Sequence, residues 1–315
     1  MPVAPVADAN TAWLFPGQGA QAVGMGRDLY DASDTARRAF ETADDVLGCA
    51  ISELCFEGPD ERLRQTEYAQ PALYVTSYAC LAAAREFGTI PQEPPAFFAG
   101  HSLGEYTALA AAGSLGFKDG LRLVQQRGQL MQEAAKRRAG AMAALLGLDD
   151  AAVEEICQET NAEVCNYNAP GQIVIGGDTA AVEAAIALAT ERGARRAVPL
   201  NVSGAFHTTH MASAAKGMAD AVALADFREP ASPVIANTSA EPLTAANQIG
   251  DELVRQLDHA VQWQRTVEYM AAQGVTHVVE FGPGRVLTGL AKRIDRSLSV
   301  RNVNDLASAQ STPPH

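Results

Sequence analysis

A serine set between glycines, in Gly100-His101-Ser102-Leu103-Gly104, is the residue of this sequence best suited to act as a nucleophile. It follows the short apolar run Ala96-Phe97-Phe98-Ala99 and precedes a helical pattern from Leu103 to Ala112. This is the strand-turn-helix setting in which G-x-S-x-G has a mechanical meaning. A sharp turn exposes the hydroxyl, and the small neighbours keep other side chains away from it. The N–H groups that follow open a helix and favour negative charge. A tetrahedral oxyanion could take the amide of Leu103 as one donor. Chance recurrence of five residues with two glycines is the competing explanation, and only the setting outweighs it.

A serine needs a base. The histidines are His101, His207, His210, His259, His277 and His315. His101 adjoins the serine and is expected to point away along the turn, while His315 lies in the tail. His207 ends the loop Val202-Ser203-Gly204-Ala205-Phe206-His207, from which a base on another segment could face Ser102. Position alone does not single it out. His207 and His210, at i,i+3, also have the spacing of a metal pair, but no carboxylate or cysteine completes a ligand set, and no metal is expected. Gly17-Gln18-Gly19 after a strand has the look of a dinucleotide-binding turn, with Ala22 as the next small residue. No second strand ending in an acid follows about 20 residues later, which disfavours that reading.

The elements that must position these residues alternate short apolar runs with longer helical patterns, the signature of an α/β sheet. Thr11 to Phe15 reads as a first strand, and helices are expected over Gly26–Leu47, Gln70–Phe87, Leu103–Ala112 and Lys118–Arg138. From Ala141 to Leu200 the order becomes β-α-β-β-α-β, with Asp149 and Asp178 as helix caps, which is a ferredoxin-like unit. Beyond it, helices are expected over Met211–Ala225, Asp251–Gln273 and Gly284–Ile294. Strands are expected at Pro233–Ala236, Val275–Phe281 and Leu298–Val303. The ends, Met1 to Asn10 and Ala307 to His315, read as a flexible leader and a fraying tail.

The composition fits a globular enzyme, at 47% hydrophobic and 19% charged residues over 315 positions. A net charge of -13 argues against nucleic acid, which needs a broad basic surface. No apolar run approaches the roughly 18 residues of a membrane span. Cys49, Cys55, Cys80, Cys157 and Cys165 form no C-x-x-C pair and are odd in number, which suits reduced thiols in a cytoplasmic protein.

Several segments together resemble the malonyl-CoA:acyl carrier protein transacylases and the acyltransferase domains of polyketide and fatty acid synthases. They are Phe15-Pro16-Gly17-Gln18-Gly19-Ala20-Gln21, a helix start at Gln70-Pro71-Ala72, and Gly100-His101-Ser102-Leu103-Gly104-Glu105-Tyr106. Gln126-Arg127-Gly128 with Met131-Gln132, Asn168-Ala169-Pro170-Gly171-Gln172, Ser203 to His207, and Phe281-Gly282-Pro283-Gly284 complete the set. The resemblance implies an α/β-hydrolase-like catalytic domain over 11–139 and 202–305, with the ferredoxin-like subdomain inserted at 140–201.

The resemblance also implies roles. Ser102 would be the nucleophile and His207 its base, oriented by a backbone carbonyl at Gln256. Gln18 and Leu103 would give the oxyanion amides. Arg127 would hold the acyl carboxylate, although read alone it is a surface arginine on an amphipathic helix. Phe206 before the histidine goes with malonyl rather than methylmalonyl. The expected substrates are malonyl-CoA and an acyl carrier protein bearing phosphopantetheine, with no cofactor and no metal. A monomer is expected, without nucleic-acid or membrane partners. Lys136-Arg137-Arg138, Arg195-Arg196 and Lys292-Arg293 could meet an acidic carrier, or simply be solvated helix ends. An acyl hydrolase on the same scaffold and a non-catalytic carrier-binding subunit are the rival readings. Fatty acid and polyketide pathways both remain open. Thr208-Thr209 and the Pro91–Pro95 loop carry no functional reading.

Overall fold

The computed structural model describes residues 8–312. Its strands are β1 (Asp8–Phe15), β2 (Pro95–Gly100), β3 (Ala141–Leu146), β4 (Glu163–Ala169), β5 (Gln172–Gly177), β6 (Arg196–Pro199), β7 (Val234–Ile235), β8 (Pro242–Leu243), β9 (His277–Phe281) and β10 (Ser299–Val303). One sheet runs β10-β9-β1-β2-β7-β8, and a second runs β4-β5-β3-β6. Pairing in the first is parallel except at the β7–β8 edge. In the second it is antiparallel throughout. The class is α/β, with an α/β-hydrolase-like large sheet and a ferredoxin-like unit.

Both faces of the large sheet are buried, as a parallel sheet with helices on each side requires. In β1, Trp13 and Phe15 point to one face while Ala12 and Leu14 point to the other, and all four are buried. On the first face Trp13 meets Phe98 and Phe281 at ring-centroid distances of 5.6 and 5.3 Å. On the second, Trp263, Val267, Met270, Leu287 and Leu290 cover the strands. Each such large side chain contributes about 1.5–3 kcal/mol by leaving water.

Helices Thr66–Glu86 and Phe117–Arg137 pack against each other closely because two glycines lie in their contact. A Cβ at Gly120 would meet the Tyr74 hydroxyl at 2.1 Å, and one at Gly128 the Thr66 carbonyl oxygen at 2.9 Å. The small sheet joins the large unit through β4: Tyr167 N–H donates to the Val261 carbonyl at 2.9 Å, and Val261 N–H to that of Cys165 at 2.9 Å.

Several expectations change. The helix expected over Gly26–Leu47 is broken at Ser33, whose side chain caps the helix Asp34–Leu47 by accepting the Ala36 N–H. Gln70-Pro71-Ala72 is not a helix start, because the helix begins at Thr66 and carries Pro71 inside it. Pro71, the sixth residue of the helix, forfeits its own N–H bond to the Glu67 carbonyl and crowds that oxygen. Asp251–Gln273 is two helices, Ala246–Arg255 and Trp263–Ala272. Asp178 stands at a cap position without capping, since its carboxylate faces Arg138 and His210 instead.

The edge strand β8 had left no trace in the sequence, being two residues long. The expected fraying tail contains a short helix, Leu306–Gln310, capped by Asp305. Of the expected leader, residues 8–10 belong to β1, while 1–7, like 313–315, lie outside the described residues. Among the described residues no helix is long and apolar enough to cross a membrane.

Candidate active site

The C-terminal ends of β1, β2 and β9 meet at one edge of the large sheet, where open α/β sheets leave a crevice. Ser102 lies two residues beyond β2. A Cβ at Gly100 would sit 1.9 Å from the Gly104 carbonyl carbon, and one at Gly104 would sit 2.0 Å from the Phe15 carbonyl oxygen. Only glycine lets the three chain segments approach this far. The turn throws Ser102 into the left-handed region at φ 51. A non-glycine residue held there costs roughly 1–3 kcal/mol. Asn237 staples the turn: its Oδ1 accepts the Ser102 N–H at 2.7 Å, and its Nδ2 donates to the Gly100 carbonyl at 2.7 Å.

His207 reaches this serine from the loop after β6, with Nε2 2.7 Å from Ser102 Oγ. Its Nδ1 lies 2.7 Å from the main-chain carbonyl of Gln256. A carbonyl only accepts, so Nδ1 carries the proton and Nε2 is free to take one. Gln256 ends the helix Ala246–Arg255. Its carbonyl is among those a helix end leaves unpaired, and the dipole there favours a cation, by up to about 2 kcal/mol in partly buried geometry. A helix continuing through 256 would have consumed that carbonyl, so the break missed by the sequence reading serves the site. Burial and the nearby Arg127 charge hold the His207 pKa down at about 3, so the imidazole is neutral.

The segment after His207 is tied to the small sheet. Glu163 of β4 accepts the Thr209 N–H at 3.0 Å and its hydroxyl at 2.6 Å. Asp178 binds Arg138 at 3.0 Å and faces His210 Nε2 at 3.4 Å. Thr208 and Thr209, silent in the sequence, fasten this loop, with the Thr208 hydroxyl on the Ala205 carbonyl at 2.7 Å.

Arg127 is 1% exposed, not the surface residue its helix suggested. Nη1 donates to Gln70 Oε1 at 2.8 Å, and Nη2 to Gln256 Oε1 at 2.7 Å and Ser102 Oγ at 3.1 Å. Its Nε has no acceptor among the described residues. The guanidinium also lies 5.5 Å from the Tyr106 ring.

Ser102, His207, Arg127, Gln18 and Phe206 line one cleft of about 350 Å³ between the two sheets. The Leu103 side chain is buried behind it. Neither the Gln18 nor the Leu103 amide meets an acceptor among the described residues. His101 does not point away. It lines the cleft, with Nε2 2.8 Å from Asn168 Oδ1 of the small sheet and its ring 5.5 Å from Trp263. Of the expected basic contacts, Arg293 reaches the cleft residue Gln172 at 3.0 Å, while Arg137 and Arg138 pair with Glu133 and Asp178.

Sequence reasoning missed three supports: Gln70, Asn237 and Glu105. Glu105 is fully buried, accepting the Asn237 N–H at 3.3 Å on one oxygen and the Gln256 Nε2–H on the other. It is the one charged side chain in the apolar helix Gly104–Ala111, a signal the sequence did contain. Gln256 Nε2 also donates to the Ser102 carbonyl at 2.9 Å.

Comparison with known proteins gives a consistent result. The acyl transferase domain family matches residues 12–313. A malonyl CoA-acyl carrier protein transacylase of Bacillus subtilis (strain 168) is 44% identical over 302 residues, 94% of each chain. The crystal structure of an acyl carrier protein S-malonyltransferase from Vibrio cholerae superposes with a TM-score of 0.91 at 44% identity, covering 95% of this chain and 98% of that one. A malonyl-transacylase in complex with its type II polyketide synthase acyl-carrier protein gives 0.91 at 43% identity, covering 95% and 97%.

Proposed function

The chain belongs to the acyl transferase family and moves malonyl groups from coenzyme A to acyl carrier protein, and we propose that it does so through a malonyl ester on Ser102. The observation that carries this mechanism is the line from Gln256 O through His207 to Ser102 Oγ, with Arg127 alongside.

In the first half-reaction His207 Nε2 takes the Ser102 proton as Oγ attacks the thioester carbonyl. The amides of Gln18 and Leu103 receive the oxyanion, an interaction whose loss costs about 2.7–4 kcal/mol per donor in other acyl-transfer sites. The intermediate collapses, coenzyme A leaves as thiolate, and the imidazolium returns the proton to it. In the second, His207 deprotonates the phosphopantetheine thiol of the carrier. The thiolate attacks the malonyl ester, and Ser102 leaves with the proton. The chemistry needs no cofactor beyond the two carriers. Arg127 offers the malonyl carboxylate two parallel hydrogen bonds, and an acetyl group leaves that charge unpaired. Phe206 is buried in the wall of the same cleft, and its ring would crowd a branching methyl on the acyl group.

The domain division, 140–201 inserted between 11–139 and 202–305, is part of the proposal, supported by the separate hydrophobic cluster of the small sheet. So is a reducing, cytoplasmic setting, supported by five free cysteines. Hydrolysis is disfavoured by Arg127, which a water-using editing enzyme would not need. Intact-protein mass spectrometry after mixing with malonyl-CoA tests the mechanism. The wild type is expected to gain one malonyl adduct and Ser102→Ala none; a wild type without the adduct sinks it.

A further inference from the structure

The two half-reactions leave the buried acid beside the serine without a part. Among the described residues the Arg127 guanidinium meets neutral groups: the carboxamides of Gln70 and Gln256, the Ser102 hydroxyl and the Tyr106 ring. An arginine buried to this depth without a compensating charge is costly. The nearest compensation is one side chain further on. The Gln256 carboxamide turns its oxygen to Arg127 and its Nε2–H to Glu105, so its dipole runs from the cation to the carboxylate.

We infer that Glu105 is the counter-ion of Arg127, held one carboxamide away by Gln256, and that this spacing leaves the guanidinium open to an acyl carboxylate. The inference rests on the reading of Arg127 as the malonyl clamp. A carboxylate directly on Arg127 would occupy its bidentate edge and shut the substrate out. With no carboxylate nearby, the guanidinium would be buried unpaired in the free enzyme. The interposed amide gives partial compensation, because Coulomb attraction weakens with distance.

To serve as a counter-ion Glu105 must be ionised, and its hydrogen-bond geometry is that of an anion. Both of its oxygens accept N–H bonds, one from Asn237 and one from Gln256. Burial, with the neighbouring Glu252, raises its pKa well above the ordinary carboxylate range, while these two hydrogen bonds and the Arg127 charge pull it the other way. Glu252 is itself occupied, accepting the Thr238 N–H at 2.8 Å and its hydroxyl at 2.6 Å. Glu105 is therefore a positioning and selectivity residue, acting on substrate through Arg127.

Two variants of the full chain, Glu105→Gln and Gln256→Glu, test this against a merely structural role. Acylation by malonyl-CoA and by acetyl-CoA is followed in parallel. Any disturbance of the serine turn affects both thioesters alike and cancels in their ratio. In Glu105→Gln the substrate carboxylate no longer shares Arg127, so the malonyl-to-acetyl ratio should rise about threefold through a lower KM for malonyl-CoA. In Gln256→Glu a carboxylate sits on Arg127 directly, and the ratio should fall about tenfold or more. An unchanged ratio in either variant, or a shift of the same sign in both, overturns the inference. Should Glu105→Gln fail to fold, Glu105→Met takes its place, with the same rise in the ratio expected and an unchanged ratio overturning the inference. A wild type that forms no malonyl adduct, or that handles the two thioesters equally, instead defeats the clamp reading beneath it.

Discussion

Nη2 of Arg127 stands 3.1 Å from Oγ of Ser102, so the group proposed to recognise the acyl chain also touches the group proposed to attack it. Recognition and reaction share one donor. A carboxylate that took over this donor would free a lone pair of Oγ for attack, while the hydroxyl proton already faces His207. Arg127→Ala is therefore expected to lower kcat/KM for malonyl transfer by about 2–4 kcal/mol, roughly 30- to 1000-fold, while acetyl transfer falls much less. Parallel kinetics with both thioesters check this, and equal losses would remove Arg127 from the clamp.

The pH profile carries a second prediction. An ordinary imidazole near 6.5 would lose half its basic form there, but His207 is held at about 3 by burial and Arg127. Acylation kcat/KM, which reports the free enzyme, should stay flat from pH 8 to pH 5. An acid limb centred near 6.5 would contradict it. Folding stability should show the reverse side. Between about 3 and 6.5 the unfolded chain binds a proton at this ring that the folded chain does not. Stability therefore rises with pH across that window and is lost as pH falls, at about 1.4 kcal/mol per unit for this group. Denaturant midpoints of wild type and His207→Gln at pH 5 and 7 would reveal the difference.

Gly104→Ala tests the packing of the turn. The added carbon would lie 2.0 Å from the Phe15 carbonyl oxygen, main chain that cannot rotate aside. A loss of about 3 kcal/mol or more is expected, read as a shift in the urea midpoint. Stability near that of wild type would mean that the start of the helix Gly104–Ala111 does not press on the end of β1.

At Phe206, half of the selectivity question can be isolated. Phe206→Ser opens the cleft wall beside His207, and methylmalonyl-CoA should gain on malonyl-CoA by about 1–3 kcal/mol in kcat/KM. A ratio unmoved by this substitution would place the methyl group elsewhere in the cleft.

Much of the site could be read before the fold was known, because its residues sit in compact local patterns. Gly100 to Gly104 announced a strand-turn-helix, and the structure places Ser102 in that turn at φ 51. Helix ends were harder. The break after Arg255 depends on the chain turning to reach β4 at Val261, a tertiary contact with no local period. Glu105 lies in the serine motif, but its part is not legible there, since only the fold brings Gln256 against it across 151 positions. Asn237 lay in a polar turn like many others. His101 was misjudged because a neighbour in sequence was assumed to face away, whereas Asn168 draws it into the cleft.

The acceptor that orients His207 is the main-chain oxygen of Gln256, which every amino acid would supply. No single codon change at position 256 deletes it. An acidic side chain in that role could be lost to a single base change, and with it the tautomer of the base. Here the side chain at 256 answers to Arg127, Glu105 and the serine turn, and not to the tautomer of the base. The proton-transfer geometry is inherited separately, with the path of the backbone.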